Sequence, residues 1–90
     1  MKFAEAIERC INGARITRRD WNGKGMFVYY TPGRRIPSKE WTGSIEYKEI
    51  QQGYVEVAGH FDMFNAQGIR IIGWLASQTD MASDQWEEAE

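Results

Sequence analysis

Cysteine is almost absent from this chain: Cys10 stands alone, so no disulfide can form within it. Histidine is as scarce, with His60 the sole example. No Cys/His/Asp cluster has metal-ligand spacing, so neither a metal site nor any other cofactor is expected. Proline occurs only at Pro32 and Pro37, which places the stiff backbone breaks in one stretch. Apolar runs reach only about five residues, far short of a membrane span or a signal-peptide core. The expected protein is soluble and cytoplasmic, without membrane attachment.

The length of 90 residues predicts one domain, residues 1–90. A monomer of this size buries roughly 60–65% of its unfolded surface, which is marginal, so self-association is an obvious remedy. Aromatic residues make up 13% of the chain and suit that remedy. The net charge of −2 is unevenly spread. Residues 1–39 hold nine Lys/Arg against three Asp/Glu, giving +6, and residues 40–90 hold two against ten, giving −8. Either the basic half attracts an anionic ligand, or the two halves help identical subunits associate.

Phe3, Ala6, Ile7, Cys10 and Ile11 recur at i, i+3, i+4, i+7 and i+8, which predicts a helix over 2–12 with one apolar face. Gly13 supplies its stop. Cys10 lies on that stripe and reads as a small core residue rather than a nucleophile. Residues 14–18 form a short strand with Ile16 inward. Residues 26–30 form another, with Phe27 and Tyr29 on one face and Met26, Val28 and Tyr30 on the other. Both faces are apolar, so this strand is central or at an interface.

Between these strands lies Trp21-Asn22-Gly23-Lys24-Gly25-Met26. Asn-Gly marks a turn because both residues tolerate positive φ, and Gly25 opens the backbone to close approach. A hairpin connection with Trp21 as a core plug explains the stretch equally simply.

Residues 31–53 take no single predicted conformation. Ser38 is a candidate N-cap for a short helix. Arg34, Arg35 and Lys39 form either a solvated loop or a phosphate contact. Tyr54–Val57 alternates as a strand with Val55 and Val57 on one side. Residues 60–65 and 69–75 form a hairpin around Ala66-Gln67-Gly68. His60 reads as a histidine packed at a strand end. Ser77 and Asp80 have capping-box spacing for a short helix over 78–83, whose start also presents free N–H groups. Asp84–Glu87 reads as a last edge strand with Trp86 inward. The expected fold is α+β: a curved antiparallel sheet of about five strands, packed by the N-terminal helix, with a short second helix near the C-terminus.

Two stretches taken together carry a resemblance: Arg18-Arg19-Asp20-Trp21-Asn22-Gly23-Lys24-Gly25-Met26 and Gly73-Trp74-Leu75-Ala76-Ser77-Gln78-Thr79-Asp80. With Asn12-Gly13 and Asp84-Gln85-Trp86-Glu87 they resemble a phage and prophage family that includes the second type of Thoeris anti-defence protein. The resemblance spans nearly the whole chain, apart from the variable residues 31–53. It implies a sponge rather than an enzyme: a protein that binds the cyclic ADP-ribose isomer made by a TIR-domain sensor and holds it intact. It also implies a homotetramer with pockets between subunits, and some relatives take cyclic dinucleotides at separate sites. Carried over by motif, the ligand-binding residues are Trp21, Asn22, Gly23, Lys24, Gly25, Met26 and Phe27 in the first loop. Trp74, Ser77, Gln78, Thr79 and Asp80 supply the second.

The residue chemistry agrees with that ligand. Trp21 or Trp74 can stack on adenine, worth roughly 1–3 kcal/mol. The N–H groups of Gly23 and Gly25, with Lys24, can meet a pyrophosphate. Asp80 can accept from ribose hydroxyls. No nucleophile–base pair is evident, so no catalytic residue is assigned. Three alternatives remain: a hydrolase of the same nucleotide, a small nucleic-acid-binding module built on the basic half, and a purely structural role in the virion. Overall acidity and the lack of a nucleic-acid motif count against the second.

Overall fold

A computed structural model describes residues 1–90. Helix α1 (Phe3–Ile11) forms where the apolar spacing predicts it, and its Ala6 and Cys10 are fully buried. Ile11, in the last turn at the margin of the stripe, is exposed. Asn12 ends the helix and Gly13 turns the chain at φ 108°, a conformation that favours glycine.

Five strands make one antiparallel sheet: β1 (Ile16–Arg18), β2 (Phe27–Thr31), β5 (His60–Phe64), β6 (Arg70–Ile72) and β7 (Trp86–Glu88). Their order is β6-β5-β2-β1-β7, so β2 is central, as its two apolar faces require. The register sets Ile16 opposite Val28 and Val28 opposite Met63. That row lies beneath α1 and joins Ala6, Cys10 and Trp86 in the core. The opposite face carries an aromatic row, with Phe27 stacked on Phe64 at 5.1 Å. Arg15 lies over Phe27 and Arg70 over Tyr29, so cations cover part of this face. The architecture is thus α+β, with the N-terminal helix on a five-stranded antiparallel sheet and a short helix α3 (Gln78–Ala82) near the C-terminus.

Several boundaries differ from the sequence reading. Tyr54–Val57 is a strand, β4, but it pairs with β3 (Arg34–Pro37) in a separate two-stranded ribbon. A further helix, α2 (Tyr47–Gln52), packs on that ribbon and stops at Gly53, φ 79°. Ser38 opens a single 3-10 turn, Ser38–Glu40, rather than capping a helix, because its hydroxyl donates to the carbonyl of Glu49. The β5–β6 hairpin is present, but β6 ends at Ile72. Gly73 at φ 85° turns the chain out of the strand before Trp74. In the hairpin turn, the Asn65 side-chain oxygen accepts from the N–H groups of Gln67 and Ile69.

Every hydrogen bond formed by residues 34–57 stays within that segment. None of its side chains belongs to the cluster under α1. The segment therefore projects from the body, and the molecule is elongated, 46 × 26 × 24 Å.

Trp86 is the largest fully buried side chain. Trp86→Ala is expected to cost about 3–5 kcal/mol, read as a lower urea midpoint. A loss below about 1 kcal/mol, outside the usual range for a buried aromatic, would show that the core does not rest on this ring.

Candidate functional site

The two glycine-containing loops of the sequence meet in space, and the carboxylate of Asp80 joins them. Asp80 lies in the first turn of α3, where the capping box forms: its N–H donates to the Ser77 hydroxyl and its Oδ2 accepts from the Ser77 N–H at 2.8 Å. Its Oδ1 accepts from Arg18 Nη1 at 2.7 Å and from the Trp21 indole N–H at 3.2 Å. Its backbone carbonyl accepts from the Trp86 indole at 2.8 Å. One residue thus gathers β1, the glycine loop, α3 and β7.

Arg18 uses the rest of its guanidinium on Asp20, with Nε at 3.0 Å from Oδ1 and Nη2 at 2.7 Å from Oδ2. This two-point fork fixes the direction of the chain entering the glycine loop. Trp21 and Trp74 stand edge-on against Trp86, with ring centroids at 5.3 and 6.1 Å. Both outer rings are half-buried, so each loop is anchored by an aromatic body.

The glycines of the first loop serve different ends. Gly23 has ordinary φ, but a Cβ there would strike the Met26 sulfur and lie 2.7 Å from Ala66 Cβ. Gly25 is the left-handed residue, φ 76°, and faces open space. Asn22 and Gly23 both keep ordinary φ, and the turn falls at Lys24-Gly25, where Gly25 supplies the left-handed residue. Asn22, Lys24 and Gly25 are exposed, as are Ser77, Gln78 and Thr79 of the second loop. Met26 and Phe27 are half-buried at the start of β2.

Within this single chain, these residues do not share one concavity. A groove of about 820 Å³ is lined by Lys2, Phe3, Arg18, Asp20, Thr79 and Gln85, among others. Only Thr79 of the residues carried over by motif lines it. A second groove, about 410 Å³, has Gly25, Met26 and Phe27 on one wall and Glu87 and Glu88 on the other.

Sequence reasoning missed two organising residues. Arg18 belongs to the first motif, and its partner Asp20, only two residues away, is the one local signal of its role. Asp62 stands in no motif of the sequence. It is buried on β5, where it accepts from the Thr31 hydroxyl at 2.6 Å and from the Gly73 N–H at 2.8 Å. It thereby fixes where the second loop leaves the sheet. His60 Nε2 lies 3.4 Å from the same carboxylate, and its Nδ1 lies 2.8 Å from the Ala58 carbonyl.

Burial works against ionisation of Asp80, but the Ser77 N–H, the Arg18 guanidinium and the Trp21 indole outweigh it. Its carboxyl is held below the ordinary value. The Arg18 fork lowers Asp20 as well. Burial pushes the Cys10 thiol up to about 11, so it is not a thiolate at neutral pH. No three His, Cys, Asp or Glu side chains are placed to hold a metal ion. No helix is long and apolar enough to cross a membrane.

Fold and site together define a small α+β chain whose two tryptophan-anchored loops are drawn together by one carboxylate. Comparison with known proteins gives that description a family. The model of the Thoeris anti-defense 2-like domain matches residues 1–89. A curated protein of Bacillus phage SP01, named Thoeris anti-defense 2, is 31% identical over 87 residues, covering 97% of this chain and 92% of that protein. The chain belongs to the Thoeris anti-defense 2-like family, and its role is phage anti-defence. The family is one of anti-defence proteins, not of a known enzyme class.

Because Asp80 and Asp20 are held below the unfolded carboxylate value, their stabilisation is full above about pH 4 and is lost as pH falls through their folded values. Stability is expected to drop below about pH 4. Asp80→Asn should cost about 3 kcal/mol near neutral pH, by breaking a buried pair, and should flatten the acid limb of the profile. Urea titrations from neutral pH down to about pH 2.5, below the ordinary carboxylate range, measure both. An unchanged acid limb in Asp80→Asn would place the acid sensitivity elsewhere.

Proposed function

We propose that this protein sequesters a cyclic ADP-ribose isomer, holding it intact so that a Thoeris effector is not activated. The observation that supports this reading best is the clasp at Asp80. It brings two loops of complementary chemistry side by side and leaves their polar ends exposed. In this reading the half-buried faces of Trp21 and Trp74 stack on the base. Lys24 and the open backbone at Gly25 meet the pyrophosphate. Asn22, Ser77, Gln78 and Thr79 address the ribose hydroxyls. Gly23 lets the loop pack closely on Ala66, and Met26 and Phe27 form the floor where the loop enters β2. Asp80 serves by positioning, since both its oxygens already have donors within the chain.

The protein is a binder and not an enzyme in this proposal. A sponge needs slow release and no catalyst, and the buried Cys10 offers no reactive thiolate. The working form is a homotetramer in the cytoplasm of the infected or lysogenic host, with sites completed between subunits. Of the residues carried over by motif only Thr79 lines one shallow groove and only Gly25, Met26 and Phe27 another, which favours that, because a second subunit would close what one chain leaves open. Cyclic dinucleotides, bound at separate sites, are a further ligand class for the same assembly.

Isothermal titration with a panel of cyclic ADP-ribose isomers and cyclic dinucleotides, followed by mass spectrometry of ligand released on heating, tests the reading. Tight binding with intact release is expected. Altered ligand would make the protein a hydrolase. Trp21→Ala and Trp74→Ala should each weaken binding by about 1–3 kcal/mol. Lys24→Ala, at an exposed side chain without an ion pair, should weaken it without loss of stability. Unchanged affinity in all three variants would refute the site.

A further inference from the structure

The five-stranded sheet ends differently on its two sides. The β7 edge carries Glu87 and Glu88, charges that keep other strands away. The β6 edge carries one charge, Arg70, and its guanidinium is drawn over the Tyr29 and Phe64 rings. Ile71 is 44% exposed, Ile72 68%, and Ile69 and Leu75 on either side 60% and 90%. From Ala66 to Ser77 the chain carries a single charge, Arg70. No strand pairs with β6 on its outer side.

The backbone of that edge has a readable polarity. Asn65 N–H donates to the Ile69 carbonyl at 3.0 Å, and Met63 lies opposite Ile71. Antiparallel ladders alternate, so Ile69 and Ile71 turn their N–H and C=O towards β5, while Arg70 and Ile72 turn theirs outward. Two free donors and two free acceptors thus face away from the sheet, one residue either side of Ile71.

We propose that β6 pairs with β6 of a second copy of this chain, antiparallel, about a two-fold axis at Ile71. Two five-stranded sheets then continue as one of ten strands. In that register Arg70 exchanges both backbone hydrogen bonds with the partner's Ile72, and Ile72 does so with the partner's Arg70. Every outward group of the edge is satisfied, and the two Ile71 side chains meet in a close, non-hydrogen-bonded pair.

The neighbouring registers fail on the residues present. A two-fold axis at Arg70 sets two guanidiniums opposite each other, which is destabilising. An axis at Ile72 needs Trp74 to bond the partner's Arg70, but the Trp74 N–H is already donated to the Phe61 carbonyl at 2.6 Å. Only the axis at Ile71 avoids like charge and uses groups that are free. A second copy suits this edge because it offers the same outward donors and acceptors in reverse order, which makes a self-complementary contact.

The pairing deepens the assembly proposed above but rests on the strand edge alone, so it can fail while ligand binding stands. Sedimentation of the full chain, with Ile71→Lys beside it, reads the interface. The variant is expected to halve the mass of the assembly with an unchanged circular dichroism spectrum. Ile71→Cys fixes the register: under mild oxidation it should give a covalent dimer, whereas Arg70→Cys and Ile72→Cys should not. Cys10 is buried and does not compete. A monomeric parent chain, an unchanged mass in Ile71→Lys, or cross-linking through Arg70→Cys or Ile72→Cys and not Ile71→Cys would each overturn the proposal. Ligand titration on the same samples separates this outcome from loss of the binding reading.

Discussion

A buried carboxylate is costly unless its oxygens are filled, and both oxygens of Asp80 are filled from within the chain. The donors come from β1, the glycine loop and the residue that caps its own helix. Each donor belongs to a different part of the chain, so the ion can be accommodated only when all of them arrive. The indole of Trp86 adds a fourth link through the backbone carbonyl and sits between the other two tryptophans. The placement of both loops depends on this centre, and removing any one donor would leave charge without compensation in a half-dry space.

Asp62 repeats the arrangement on the far side of the sheet. It too is buried, and it too holds the start of a loop by accepting from a backbone N–H, that of Gly73. The loop containing Trp74 is therefore pinned at both ends by carboxylates, Asp62 before it and Asp80 after it. A segment with few regular hydrogen bonds of its own acquires a defined course without becoming a helix or a strand.

Much of this was legible in the sequence, for local reasons. The stripe Phe3, Ala6, Ile7 and Cys10 specifies α1 because helical periodicity needs no distant partner. Ser77 and Asp80 specify the capping box for the same reason. The doubly apolar Met26–Tyr30 announced a central strand. What could not be read depends on separation. Arg18 meets Asp80 across 62 positions, and nothing near either residue names the other. The ribbon was hidden because Arg34-Arg35-Ile36-Pro37 has little strand character of its own and gains it only by pairing with β4. Helix α2 was hidden because its six residues carry only two apolar side chains, Tyr47 and Ile50, too few to show a helical period. In the candidate site the loop residues are proposed by motif. That Thr79 lines one groove, Gly25, Met26 and Phe27 another, and the rest neither is set by the three-dimensional course of β1, β2 and α3, which the motif does not encode.

The ribbon and α2 leave and rejoin the body at one narrow neck. Gly33 and Gly59 lie so close there that a Cβ on Gly33 would sit 3.1 Å from the Gly59 nitrogen, and Gly59 itself lies under the Tyr30 hydroxyl. Everything beyond that neck is a cassette. It can lengthen, shorten or change sequence without moving α1, the central sheet or the clasp at Asp80, because the hydrogen bonds of residues 34–57 stay within that segment and the one from His60 to the Ala58 carbonyl lies at the neck itself. For a protein on the phage side of a contest with a host, that separation gives selection a part to vary freely while the sheet and the Asp80 clasp stay fixed.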